Sequence, residues 1–219
     1  MSEGKLIHVV DDDDSVRRSV GFMLKTSGHL VKSYGSGSEL LKEAKRLEPG
    51  CILLDIRMPG MDGLEVQQEL QSLGVNLPVI IMTGHGDIPL SVRAMKAGAI
   101  DFIEKPFEKA VLVAAIDEAF SSMSRSDSGR ERAKDAIVRL QALTLRERDV
   151  LDGLAKGLPN KTIAYDLGIS PRTVEIHRAN LMSKLEVRSL SEALRLAFAA
   201  EEFSNGSVAG TQADTTKYP

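Results

Sequence analysis

The sequence predicts an α/β doubly wound five-stranded parallel sheet followed by an all-α four-helix helix-turn-helix domain. Three observations carry that expectation. Five short apolar runs alternate with stretches of helical periodicity over the first 120 residues, the pattern of a parallel sheet covered on both faces. A serine-rich, apolar-poor break at residues 121–129 then separates this half from one with helical periodicity alone. Charge divides the same way. Residues 1–120 carry 13 Lys/Arg against 18 Asp/Glu, net −5, while residues 130–200 carry 13 against 9, net +4. An acidic half joined to a basic half points to two domains, the second with a polyanionic partner.

The first run, Leu6–Val10, ends in four consecutive aspartates, Asp11 to Asp14. Ser15 is placed to cap a helix in which Val16, Val20 and Leu24 recur every four residues. Leu30–Tyr34 is a second strand. Ser36 and Glu39 have capping-box spacing and open a helix through Leu40, Leu41, Ala44 and Leu47. The third strand, Cys51–Asp55, is an apolar run that delivers one carboxylate at its end and breaks at Pro59-Gly60. A helix over residues 63–73 follows. Residues 78–82 make a strand ending at Thr83, Asp87 caps a helix through Val92 and Met95, and residues 100–104 make a fifth strand ending at Lys105-Pro106. A helix over residues 109–120 completes the half.

Four strand ends thus carry polar or charged side chains, and in an open parallel sheet they share the edge where ligands sit. Asp11, Asp12 and Asp55 brought together repel one another unless a cation joins them. Mg2+ suits such a set, because it takes few carboxylates, accepts carbonyl oxygen and keeps several waters. Lys105 offers a compact positive charge to a phosphoryl oxygen, and the Thr83 hydroxyl donates to another. In-line phosphoryl transfer to a carboxylate needs mainly positioning and neutralisation of charge. The alternative for the aspartate run is a solvated helix start, and for Asp55 a turn.

In the second half, residues 130–143 form a connecting helix. Thr144 and Glu147 make a capping box for a helix through Val150, Leu151 and Leu154, which stops at Gly157. Asn160 caps the next, through Ile163, Ala164 and Leu167 to Gly168, and Ser170-Pro171 opens a third. Residues 190–198 supply the fourth. Two short helices about Gly168-Ile169-Ser170 read as a helix-turn-helix. On the second of them Val174, His177, Leu181 and Leu185 fall on one stripe and face the core. Arg172, Ile176, Ala179 and Ser183 point away, flanked by Thr173, Glu175 and Asn180. Ile176 can meet a thymine methyl, and Arg172 a guanine or phosphate. Lys161, Arg178 and Lys184 are candidates for phosphate contacts.

Two family resemblances rest on these residues. Val-Val-Asp11-Asp12, Leu-Leu-Asp55-Ile-Arg-Met-Pro-Gly-Met-Asp-Gly, Met-Thr83-Gly-His-Gly-Asp and Phe102-Ile-Glu-Lys105-Pro-Phe resemble the receiver domain of two-component response regulators over residues 5–121, and the run from Thr83 to Phe107 resembles the FixJ class. That resemblance implies that Asp55 accepts a phosphoryl group from a sensor histidine kinase. It implies that Asp12, Asp55 and the Arg57 backbone carbonyl hold Mg2+ with Asp11 assisting through water, and that Thr83 and Phe102 are a switch pair. Leu143-Thr-Leu-Arg-Glu-Arg, Asn160-Lys-Thr-Ile-Ala and Ser170-Pro-Arg-Thr-Val-Glu-Ile-His resemble the LuxR-type helix-turn-helix over residues 141–200. This implies double-stranded promoter DNA as partner, usually bound by a dimer.

The expected organisation is a receiver over residues 1–121, a partly helical linker over 122–140, a DNA-binding domain over 141–203 and a disordered tail over 204–219. The expected function is a transcription factor rather than an enzyme, with phosphorylated Asp55 promoting a homodimer through a face that includes Val92 and Met95, and RNA polymerase as a further partner. Cys51 is the single cysteine, which excludes an internal disulfide and a cysteine-based zinc cluster. With no cationic leader and no apolar stretch long enough to span a bilayer, a cytoplasmic protein without a membrane partner is expected. Two other readings compete. One is a phosphohydrolase with Asp11 as nucleophile and Asp13 as acid/base, and the other a DNA-binding protein whose receiver is only a dimerisation scaffold.

Overall fold

The computed structural model describes residues 4–84, 88–124 and 129–209. They fall into two compact units that divide between residues 125 and 126. The first unit alternates strand and helix: β1 (Leu6–Val10), α1 (Asp14–Lys25), β2 (Leu30–Tyr34), α2 (Gly37–Lys42), β3 (Cys51–Asp55), α3 (Gly63–Ser72), β4 (Val79–Thr83), α4 (Ile88–Lys96), β5 (Asp101–Glu104) and α5 (Lys109–Ser124). All strand pairs are parallel, in the order β2-β1-β3-β4-β5.

Every residue of β3 and β4 is buried, as befits strands flanked on both sides and covered on both faces. Ile7, Val9, Leu53, Ile80 and Met82 point to one face and pack with Val20 and Leu24 of α1 and Leu112, Ile116 and Ala119 of α5. Alternation sends Ile52, Leu54 and Ile81 to the other face, on the side of α2, α3 and α4. The chain reverses its direction of travel across the sheet between β1 and β3, so the crevice at their carboxyl ends is the topological switch point.

Several local expectations are corrected. Helix α1 is capped by Asp13 rather than Ser15. The Asp13 carboxylate accepts from the Ser15 N–H at 2.7 Å and the Ser15 hydroxyl at 2.6 Å, because an ionised acceptor is favoured at the positive end of a helix. Helix α2 stops at Lys42 and gives way to a 3-10 turn over Ala44–Arg46. At that break the Glu43 carboxylate accepts from Lys32 of β2 at 2.6 Å and from the Tyr34 hydroxyl at 3.2 Å. The Asp87 cap lies outside the described residues. Val92 and Met95 are 3% and 5% exposed; their shared stripe on α4 faces the sheet, so they are core and not an open dimer face. Residues 121–124 of the expected hinge continue α5, residues 125–128 are outside the described residues, and Gly129 already begins the next helix.

The second unit is helical: α6 (Gly129–Gln141), α7 (Leu145–Ala155), α8 (Asn160–Leu167), α9 (Pro171–Lys184) and α10 (Leu190–Ala209). Its separate core joins Leu143, Val150, Leu151, Leu154, Ile163, Val174, Leu181, Leu185 and Ala193. The Thr144–Glu147 capping box is present, and Ser170 caps α9 with Pro171 in its first turn. Gly168 closes α8 at φ 65°, in the left-handed region that glycine enters without strain. Asn160 is not the cap of α8. Pro159 holds that position, and the Asn160 side-chain Oδ1 accepts from the Arg178 guanidinium of α9 at 3.0 Å. The first six residues of the expected disordered tail, 204–209, belong to α10, and its remainder is outside the described residues. Among the described residues no helix is long and apolar enough to cross a membrane.

Candidate functional site

The ends of β1, β3, β4 and β5 converge on one crevice. Asp55 pairs in register with Met82 and Thr83 with Glu104, so Thr83 stands one residue beyond the partner of Asp55 and Lys105 one residue beyond the partner of Thr83. The Lys105 N–H donates to the Thr83 carbonyl at 2.7 Å, and the Ile56 N–H to the Met82 carbonyl at 3.1 Å. These bonds hold the three strand ends level.

Onto this edge the structure brings Asp11, Asp55 and Lys105 in direct contact. The Lys105 Nζ lies 2.6 Å from Asp11 Oδ2 and 2.5 Å from Asp55 Oδ1. Both carboxylates are buried, Asp11 at 1% and Asp55 at 6% exposure. Asp11 is fixed further by the Asp13 N–H on its Oδ1 at 2.9 Å and by Arg17, whose guanidinium donates to its carbonyl at 2.7 Å. Burial pushes the Asp55 carboxyl above its ordinary range, and the Asp11 charge adds to this, against the pull of Lys105 and the Arg57 N–H. Burial alone lowers the Lys105 ammonium, but its hydrogen bonds to Asp11 and Asp55 prevail and raise it. One cation therefore serves two carboxylates, and negative charge is in excess.

The remaining predicted residues surround this trio. Thr83 is 3% exposed, with its hydroxyl 3.4 Å from the Gly84 carbonyl. Asp12 and Arg57 are exposed at the rim, and Phe102 is half-buried on β5. Among the described residues no three His, Cys, Asp or Glu side chains stand together as a metal cage. Sequence reasoning missed Arg17 and Gly63. A Cβ on Gly63 would lie 2.3 Å from the Asp55 carbonyl oxygen and 2.9 Å from the Ile56 Cα, so glycine alone lets α3 begin directly beneath the end of β3. The signal for it was present in the Gly60-Met61-Asp62-Gly63 turn.

In the second unit, Val174, Leu181 and Leu185 are buried and His177 is half-buried, while Arg172, Glu175, Ile176, Ala179, Asn180 and Ser183 are exposed. Ile176 is 49% exposed. Arg172 and Glu175 pair at 3.1 Å across one turn. Thr173 is half-buried and donates its N–H to Ser170. Two of the predicted phosphate-contacting cations are engaged elsewhere. Arg178 is half-buried against Asn160, its pKa lowered by burial. Lys184 donates to Glu147 of α7 at 2.7 Å. Lys161 is exposed. Glu147 is 3% exposed. Burial works to raise its carboxyl, but Lys184 and the Thr144 donors outweigh that and hold it at about 2.

Residues 7–117 match the response regulator receiver domain family, and residues 141–197 match the bacterial regulatory proteins of the luxR family. The chain is 48% identical to the transcriptional regulatory protein FixJ of Azorhizobium caulinodans over 200 residues, covering 91% of this chain and 95% of that protein. It is 40% identical to the tetrathionate response regulatory protein TtrR of Salmonella typhimurium, over 86% of this chain and 90% of the other. Among solved structures it is similar to full-length FixJ from B. japonicum, with a TM-score of 0.55, 43% identity and coverage of 90% and 98% of the two chains.

Proposed function

The chain belongs to the FixJ-class response regulators, which join a receiver domain to a LuxR-type DNA-binding domain, and from that premise we propose that Asp55 is its phosphoacceptor. The observation that carries this reading is the Lys105 ammonium shared between Asp11 and Asp55 at the switch point of the sheet. An Asp55 oxygen attacks the phosphorus of a phosphohistidine on a sensor kinase. A P–O bond forms, the P–N bond breaks, and the imidazole leaves with a proton. Lys105 neutralises one phosphoryl oxygen, and the Thr83 hydroxyl donates to another.

The excess negative charge at this crevice suits Mg2+, which accepts few carboxylates and retains water. Asp12, Asp55 and the Arg57 carbonyl would hold the ion, with Asp11 through water, and the bound ion supplies charge neutralisation to the phosphoryl oxygens. Thr83 turning toward the phosphoryl group opens space for Phe102 to move inward, since both sit on adjoining strands at this edge. The altered α4–β5 surface then favours a homodimer of this cytoplasmic regulator. In that dimer the α9 faces bearing Arg172, Ile176, Ala179 and Asn180 read a two-fold promoter site, with Thr173 and Glu175 at its margins and RNA polymerase as the downstream partner. Phosphate contacts fall to Lys161 and Arg172 rather than to the engaged Arg178 and Lys184.

A phosphohydrolase using Asp13 as acid/base is disfavoured. The Ser15 hydroxyl and N–H hold the Asp13 carboxyl below its ordinary range, which makes it a poor proton donor. Treatment with acetyl phosphate and Mg2+, followed by intact mass and peptide mapping, tests the proposal. The expected result is one phosphoryl adduct on the peptide containing Asp55, absent in Asp55→Asn. No adduct on the wild type would leave the receiver as a scaffold, and an adduct on Asp11 would favour the hydrolase.

A further inference from the structure

Helix α9 ends unusually. Its C-cap is Leu185, and the next residue, Glu186, has φ 53°, a left-handed conformation that an L side chain occupies at a cost and where glycine is usual. Gly168 fills the equivalent place after α8. At the end of α9 the compensation comes from another helix. Arg139 of α6 donates through Nη2 to the carbonyls of both Leu185 and Glu186, the latter at 3.3 Å. The Leu185 carbonyl is one of those a helix terminus leaves without an intrahelical donor, and the Glu186 carbonyl follows it at the negative end of the dipole, so a guanidinium there supplies both hydrogen bonds and charge. Arg139 is steadied by Asp135, 3.9 Å away and one turn earlier on α6, and α6 itself packs along α10.

We propose that Arg139 is a positioning residue for the DNA-reading helix, through which α6 sets the direction of α9. The inference rests on the DNA-binding reading above. The chain enters the second unit through α6, so a displacement passed along the chain from the receiver reaches this clamp first. The leverage is large. With 14 residues, α9 is about 21 Å long, and a tilt of about 5° at its clamped end moves the reading end by about 2 Å. A hydrogen bond to a base edge does not survive a shift of that size.

The test uses the full chain, phosphorylated with acetyl phosphate, and a duplex selected from a random-sequence pool by the wild type. Arg139→Ala is expected to weaken binding about tenfold with the salt dependence of the wild type, because no phosphate contact is lost. Arg172→Ala is expected to lower the salt slope by about one. Glu186→Gly, placed in the Arg139→Ala background, relieves the strained residue but leaves α9 untied from α6, so the affinity should stay close to that of Arg139→Ala. Arg139→Lys should fall between, since the charge is kept but the shorter, strongly hydrated ammonium does not reproduce the reach and planar geometry of the guanidinium. Amide exchange over residues 183–187 should accelerate in Arg139→Ala while that of α8 stays unchanged. Wild-type affinity in Arg139→Ala, a reduced salt slope in that variant, or full rescue by Glu186→Gly would overturn the proposal. If the wild type selects no duplex, the DNA-binding reading fails, and amide exchange at the α9 terminus still decides whether Arg139 holds it.

Discussion

At Asp55, burial and a neighbouring carboxylate raise the pKa, and that has a definite sign for stability. A carboxyl whose folded pKa lies above its unfolded value binds its proton more tightly in the folded chain. Folding is then favoured as pH falls through the raised value toward 3.8, and ionisation above it opposes folding. Asp55→Asn should therefore raise the melting temperature of the receiver at pH 7, with the difference shrinking as pH is lowered through the raised pKa; thermal denaturation followed by circular dichroism measures it. Glu147 has the opposite sign. Its folded value of about 2 lies below the 4.5 of a free carboxyl, so its contribution is full above 4.5 and is lost as pH falls toward 2. Glu147→Gln should lower the stability of the DNA-binding domain at pH 7 and match the wild type near pH 2. Half of this site was legible beforehand. Thr144 and Glu147 are three residues apart and announce a capping box, whereas Lys184 lies 37 positions from its partner and no local pattern connects them.

At the level of elements, the junction of β3 with α3 is the least forgiving. A methyl group on Gly63 would strike the backbone of Asp55 and Ile56, atoms that cannot move without shifting the Asp55 carboxylate. Gly63→Ala should cost about 1–3 kcal/mol, the usual range for overpacking, and slow phosphorylation by acetyl phosphate, measured as adduct formed over time. Strands were readable because buried parallel strands are continuous apolar runs. The convergence of Asp11 and Lys105, 94 residues apart, was readable because both stand at strand ends of one sheet. Helix faces were less so. The spacing of Val92 and Met95 shows that they share a stripe, but not that the stripe is turned inward, which depends on where the sheet lies. The early end of α2 escaped for a similar reason, since the partners of Glu43 sit on β2.

For the molecule as a whole, the two apolar cores draw on separate stretches of chain, Ile7 to Ala119 and Leu143 to Ala193. Damage to one should stay there. Leu53→Ala and Leu181→Ala each empty a fully buried position and should each cost about 2–5 kcal/mol. Calorimetry of the full chain is expected to show two transitions, the first variant lowering one and the second lowering the other. A single transition shifted by both would contradict independent folding.

Seating Asp55 on β3, the middle strand of five and buried along its whole length, makes it the residue with the least freedom to shift. A chemical tag written there leaves its own strand where it was, and the message has to be carried by neighbours with room to rearrange. On the proposed phosphoacceptor reading those neighbours would be the Thr83 hydroxyl at the adjacent strand end and half-buried Phe102 on the edge strand β5, so writing the signal would fall to the sheet's centre and reading it to side chains that turn beside it.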